Sequence, residues 1–251
     1  MREHPVVIHI PHSSCFIPEF LRQDILLNDE ELEQNFYTFT DWRTKDIFSH
    51  RDLPCRGISN VNRMVCDMER FRDDSKEKMA AGGFGAVYTK DTFLRPLRKF
   101  DAVKRELLLQ LYYDPHHKRL EEAVAEKIRK FGKCLIVDCH SFSGTPLPYE
   151  PEQDAERPSF CIGTVEGHTS KHLIRTAVKA LQSQNCSVAL NYPYAGSMVP
   201  MKFFGDSRVR SIMIEINRSL YQEQGRLLSI PNYRHIKNKT GDLLLALAEA
   251  C

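Results

Sequence analysis

Three short polar groups stand directly behind or inside apolar runs of this chain. His12-Ser13-Ser14 follows Val6–Ile10, Asp138-Cys139-His140-Ser141 follows residues 134–137, and Glu215-Ile216-Asn217-Arg218 closes the run 212–216. Two histidines and a carboxylate at strand ends are the parts of a catalytic zinc site. Such a site takes three protein ligands from His and Asp/Glu and keeps one position open for water. A carboxylate in an apolar strand costs on the order of several kcal/mol unless it is paired, hydrogen-bonded or close to a metal. Glu215 therefore needs a partner, and an arginine would serve as well as a metal. A lone histidine behind a strand also fits a satisfied core or surface residue. Residue types and spacing leave both readings open.

Other chemistries lack their signatures. The chain has no Gly-x-Ser-x-Gly elbow, no Gly-x-x-x-x-Gly-Lys phosphate loop and no Gly-x-Gly-x-x-Gly behind its first strand. It has no Cys-x-x-Cys pair, which argues against a zinc ribbon or a thioredoxin-type site. His116-His117 reads as a solvated pair, because adjacent helical residues point in different directions.

The elements that must position these groups alternate between the two periodicities, which indicates an α/β fold. Val6–Ile10 reads as a buried strand stopped by Pro11. Asn28 with Glu31 forms a capping-box start, and Leu32 and Phe36 mark one face of the helix behind it. Asp114 is expected to cap a helix with Pro115 in its first turn, Leu120, Ala123, Val124, Ala125 and Ile128 on its apolar face, and Gly132 as its left-handed stop. Residues 134–137 then form a strand that ends before Asp138; in open α/β sheets ligands bind at that end. The logic repeats with a strand at 160–162, an amphipathic helix through Leu173, Ala177 and Leu181, the strand 212–216, and a closing helix over 242–250. Residues 73–92, with Gly82, Gly83 and Gly85, read as a mobile loop or flap.

At 251 residues the chain suits one domain with a sizeable core. Its net charge of +2 and dispersed lysines and arginines give no footprint for nucleic acid. No run is long enough to span a membrane, and the amino end lacks the pattern of a signal peptide, so a cytoplasmic protein is expected. The eight cysteines are expected as reduced thiols, with Cys134, Cys139 and Cys161 buried.

Several blocks resemble the N-formylglutamate amidohydrolase (deformylase) family, distant relatives of the zinc carboxypeptidases. They are Ile10-Pro11-His12-Ser13-Ser14, Thr40-Asp41-Trp42, Asn62-Arg63-Met64-Val65-Cys66-Asp67-Met68-Glu69-Arg70, Val137-Asp138-Cys139-His140-Ser141-Phe142, Asn191-Tyr192-Pro193-Tyr194-Ala195-Gly196 and Glu215-Ile216-Asn217-Arg218. They occur in the family's order between residues 6 and 221.

The resemblance implies a single three-layer domain over 1–251, with a central mixed, mostly parallel sheet flanked by helices. It implies one Zn2+ per chain on His12, His140 and Asp41, with Glu215 as general base. Arg63, Arg70 and Arg218, with Asn62, would hold a small substrate that carries carboxylates. Guanidinium forks bind carboxylate in pairs of hydrogen bonds, and on a helix Arg63 and Arg70 would face one side. Surface pairing with Asp67, Glu69 or Asp73 is the competing reading of these arginines, and a helix cap that of Asp41. The implied reaction releases formate and glutamate from N-formylglutamate, in keeping with histidine degradation. The same machinery on another N-acyl amino acid or a peptide is one alternative, and a binding protein on a decayed hydrolase fold another. In two places the chain departs from the pattern. Cys15 stands where the carboxypeptidases carry a glutamate, and Lys45-Asp46 follows the Asp41 block, so Asp46 competes with Asp41 as ligand.

Overall fold

The apolar runs become strands of one six-stranded sheet in the computed structural model, which describes residues 3–150, 153–154, 156–223 and 229–251. The strands are β1 (Val6–Ile10), β2 (Cys55–Ile58), β3 (Cys134–Phe142), β4 (Phe160–Gly163), β5 (Val188–Leu190) and β6 (Val209–Asn217). They lie in the order β2-β1-β3-β6-β4-β5, and every neighbouring pair is parallel except β4 with β6. The helices are α1 (Glu19–Arg22), α2 (Asp29–Phe39), α3 (Thr44–Ile47), α4 (Ala102–Leu108), α5 (Asp114–Phe131), α6 (Lys171–Gln182) and α7 (Ile230–Ala250). This is the expected α/β arrangement: a mixed, mostly parallel sheet between helical layers.

Alternation along the central strands separates the layers. Ile8, Ile10, Leu135, Val137, Ile212 and Ile214 pack against α3, α6 and α7 in one buried hydrophobic cluster. Each such side chain contributes about 1.5–3 kcal/mol when fully buried. The opposite face carries Val7, Cys134, Ile136 and Val209, which meet Leu120, Ala123 and Val124 of α5. Residues two and four further along that face are His9, Asp138 and His140, all buried. No helix among the described residues is long and apolar enough to cross a membrane.

The local signals behave unevenly. The Asn28–Glu31 capping box forms as expected, and Gly132 ends α5 at φ 72°. Asp114 does not cap α5, because the chain stays helical from α4 through a five-residue π turn, Leu109–Tyr113, and leaves no free helix end there. Its carboxylate pairs with Arg72 instead. Asp138 and His140 lie inside β3, not beyond it, since β6 continues to pair with the strand as far as Phe142. The closing helix begins at Ile230, earlier than expected. The 73–92 segment is not a free flap, for Phe84, Ala86, Tyr88, Asp91 and Thr92 are buried. All eight cysteines are free thiols, and Cys134, Cys139 and Cys161 are buried.

Candidate metal and active site

Strand register brings the reactive groups together. His9 is opposite Asp138 across β1 and β3, and His140 is opposite Glu215 across β3 and β6. His12 follows β1, and its carbonyl accepts from the backbone N–H of Asp41, so the end of α2 is drawn onto the same spot. The rings of His12 and His140 lie 5.2 Å apart. Both histidines are nearly completely buried.

The hydrogen bonds fix which nitrogen of each ring faces inward. His12 donates from Nε2 to Asp67 Oδ1 at 2.8 Å, which leaves its Nδ1 buried without a hydrogen-bond partner. Asp41 Oδ2 stands 3.8 Å and Glu69 Oε2 3.7 Å from that nitrogen. His140 donates from Nε2 to Asp138 Oδ1 at 3.1 Å, and its Nδ1 lies 3.1 Å from Asp41 Oδ2. Glu69 Oε1 is also 3.1 Å from His140 Nε2. Two imidazoles with backed Nε2–H groups and inward Nδ1 atoms, beside acidic oxygens, are a donor set for a divalent cation. His12, Glu69 and His140 bring their ligand atoms within 4.8 Å of one another, and so do His9, Glu69 and Asp138.

Burial opposes the charged forms here, and neighbouring charges outweigh it. Burial favours neutral His140, yet Glu69 and Asp138 push its pKa well above the ordinary imidazole range. Asp67 is held well below the usual carboxylate range by Arg63, His12 and Arg70. Asp41 is lowered against burial by its bond to His140 and the charge of His12. Glu215 goes the other way. Burial, with Asp41 and Glu69 adding to it against the pull of His140, raises it to about 8. Its Oε2 has no hydrogen-bond partner. A carboxylate with a free oxygen and a pKa near neutrality has the properties of a general base.

These groups line a cavity of about 160 Å³, with His12, Asp41, Glu69, His140 and Glu215 together on its wall. Arg63, Arg70 and Arg218 line it too, with Tyr149 and Tyr194. Arg63 donates to Asp67 at 2.9 Å and to the Tyr88 hydroxyl at 3.1 Å. Arg70 lies 3.7 Å from the same carboxylate, and its buried Nε makes no hydrogen bond. Two guanidinium groups thus share one buried carboxylate on that wall. Arg218 is held by the carbonyls of Thr40 and Thr38, at 2.6 and 2.8 Å.

Residues 4–222 match the model of the N-formylglutamate amidohydrolase family. The chain belongs to that family. Its fold is similar to the crystal structure of N-formylglutamate amidohydrolase from Ralstonia eutropha JMP134, with a TM-score of 0.78 and 21% identity over 100% of this chain and 94% of that one. It is also similar to a gene product of Agrobacterium tumefaciens, with a TM-score of 0.66 and 18% identity over 96% of this chain and 91% of that one. No curated protein matches the chain.

In this member of the N-formylglutamate amidohydrolase family, His12, Asp41, Arg63, Arg70, His140, Glu215 and Arg218 all reach one cavity. Asn62 does not. It is completely buried, donates to Ser14 O and Thr40 Oγ1, and accepts from Met64 N, so its amide is spent on holding loops together. Asp46 points away, half exposed, and pairs with Lys237 and Tyr233 of α7. Arg63 and Arg70 are not on a helix, and they converge because Asp67 draws both. The sequence offers Asp67 and Glu69 only as surface ion-pair partners of those arginines. Asp67 does pair with Arg63, but it is completely buried and also accepts from His12, and Glu69 lines the cavity. Sequence reasoning marks Asp138 only as part of the polar group behind residues 134–137, with no role of its own, and passes over His9, although a polar side chain in an apolar strand is the signal that draws attention to Glu215. His116 is not solvated. It is buried and within 2.9 Å of His9, because α5 turns that side chain onto the sheet.

Proposed function

We propose that this protein hydrolyses N-formyl-L-glutamate to formate and L-glutamate with one zinc ion per chain, held by Nδ1 of His12, Nδ1 of His140 and the carboxylate of Asp41. The observation that carries the reading is the unpartnered, buried Nδ1 of His12, which has Asp41 Oδ2 at 3.8 Å and Glu69 Oε2 at 3.7 Å. Hydrogen-bond direction favours Asp41 over Glu69 as the third ligand. Both reach Nδ1 of His12, at 3.8 and 3.7 Å, but at His140 Asp41 meets Nδ1, whereas Glu69 meets the Nε2 that Asp138 also accepts from. A zinc ion bound there supplies Lewis-acid polarisation of the amide carbonyl and acidifies water.

Glu215 takes the proton of the attacking water on its free oxygen and delivers it to the departing amine nitrogen. Its raised pKa suits both halves of that exchange. Arg70, with Arg63 behind it, holds a substrate carboxylate and fixes the scissile carbonyl. Arg218 keeps the Thr38–Thr40 wall in place. A cavity of about 160 Å³ is smaller than the 300–1,000 Å³ range of drug-sized sites, which favours a small acyl amino acid over a peptide.

The test is elemental analysis of purified protein together with formate release from N-formyl-L-glutamate on the same sample. One zinc per chain and formate release, both lost in His140→Ala, are expected. Zinc-loaded protein that releases acetate from N-acetylglutamate, but no formate, would overturn the substrate. Absence of both metal and hydrolysis after zinc addition would overturn the mechanism.

A further inference from the structure

Behind His140 a line of polar side chains runs away from the cavity into the core. Asp138 Oδ1 accepts from His140 Nε2 at 3.1 Å and from His9 Nδ1 at 2.7 Å, while its Oδ2 accepts from the backbone N–H of Met198 at 2.7 Å. His9 Nε2 then meets His116 Nε2 of α5 at 2.9 Å. None of His9, Asp138 and His116 lines the cavity, and all are at most 1% exposed. The packing around them is specific. β1 shifts register against β2 between Ile8 and His9, and a Cβ at Gly57 would fall 2.7 Å from the His9 ring. Only glycine leaves room for that imidazole on β2.

The proton positions follow from what each partner can do. The carboxylate of Asp138 only accepts, so His9 and His140 both direct N–H groups at it. With Nδ1–H of His9 given to Asp138, its Nε2 is the nitrogen left to accept, and His116 Nε2 supplies the N–H. That assignment leaves His116 Nδ1 as a lone pair, and it is the nitrogen found without a partner.

We propose that His116 and His9, acting through Asp138, are positioning residues that lock the ring of His140 with its Nδ1 turned to the cavity. The inference rests on the reading of His140 as a metal ligand. Carboxylates and further donors behind a ligating histidine hold its tautomer and ring plane, and their loss weakens metal binding about 10- to 100-fold. Without His116, the His9 ring loses the donor to its Nε2 and is held only at Nδ1, so Asp138 loses a fixed partner. The neighbouring His117 donates to Met68 O at 2.9 Å, between Asp67 and Glu69, so α5 braces the segment behind His12 as well.

The experiment compares zinc affinity, by chelator competition, in the full wild-type chain, His116→Leu and His116→Gln, with kcat, KM and thermal unfolding on the same samples. The Gln amide can still donate to His9 Nε2. A loss of about 10- to 100-fold in zinc affinity is expected in His116→Leu, with KM nearly unchanged and most of the loss recovered in His116→Gln. Wild-type affinity in folded His116→Leu overturns this inference alone. Two zinc ions in wild type, one of them lost in His9→Leu, also overturn it, because His9 is then a ligand. Wild-type protein that binds no zinc defeats the proposed function and this inference with it. If His116→Leu does not fold, nitrogen NMR of the wild-type imidazoles decides: His9 protonated on Nδ1 supports the chain, and His9 protonated on Nε2 overturns it.

Discussion

The two histidines that face each other across the cavity are supported in different ways. His140 is embedded in a central strand, and its backing runs through Asp138 and His9 to α5, all of it buried. His12 stands just past a strand, and its backing carboxylate, Asp67, belongs to an irregular segment and also holds Arg63 and Arg70. The His140 side is therefore wired to the core, and the His12 side to the cavity wall that carries Arg63 and Arg70. The same device, a carboxylate accepting from Nε2–H, ties one histidine to the buried core and the other to two arginines of the cavity wall.

The largest expected effect lies between the two sides. Glu215→Gln keeps the shape and removes the proton acceptor, so kcat should fall by about 10²–10⁴-fold with zinc content intact. A steady-state assay with metal analysis checks this, and a kcat within threefold of wild type would remove Glu215 from the reaction. The comparison itself breaks or stands on Asp67→Asn against Asp138→Asn. Both should weaken zinc about 10- to 100-fold. Only Asp67→Asn should also raise KM, since it alone disturbs the arginines. Equal KM values for the two variants would show that the sides are not wired differently.

The same contrast governs what the sequence could reveal. The strand side was legible in part. A carboxylate in an apolar run needs a partner, which singled out Glu215, but the shared face of His9, Asp138 and His140 depends on β3 running on to Phe142, which its pairing with β6 decides. The loop side was legible only in composition. Arg63, Asp67, Glu69 and Arg70 follow no period, so nothing in their spacing tells a cavity wall from a surface ion pair. Asn62 shows the limit, for its neighbour Arg63 lines the cavity while its own amide ties loops together. His116-His117 shows another, since the covered face of a helix depends on a sheet far away in sequence.

Arg70→Ala sharpens the loop side. Removing a guanidinium that binds a substrate carboxylate forfeits about 1.5–3 kcal/mol, so KM should rise about tenfold or more. Zinc affinity should hardly move, because Arg63 still pairs with Asp67. Inhibition by free glutamate, measured alongside, should weaken in parallel. An unchanged KM would shift the carboxylate contact to Arg63 or Arg218.

The smallest effect is expected at Asp46, the carboxylate that competes with Asp41 in the sequence. Its side chain is half exposed and bound to Lys237 at 2.7 Å, outside the cavity. An exposed pair of this kind is worth about 0–1 kcal/mol. Asp46→Asn should therefore lower thermal stability slightly and leave zinc stoichiometry and kcat at wild-type values, whereas Asp41→Asn should lose the metal. Zinc loss in Asp46→Asn would mean that α3 turns its carboxylate inward when metal binds, and the site would then draw its third ligand from a helix that moves.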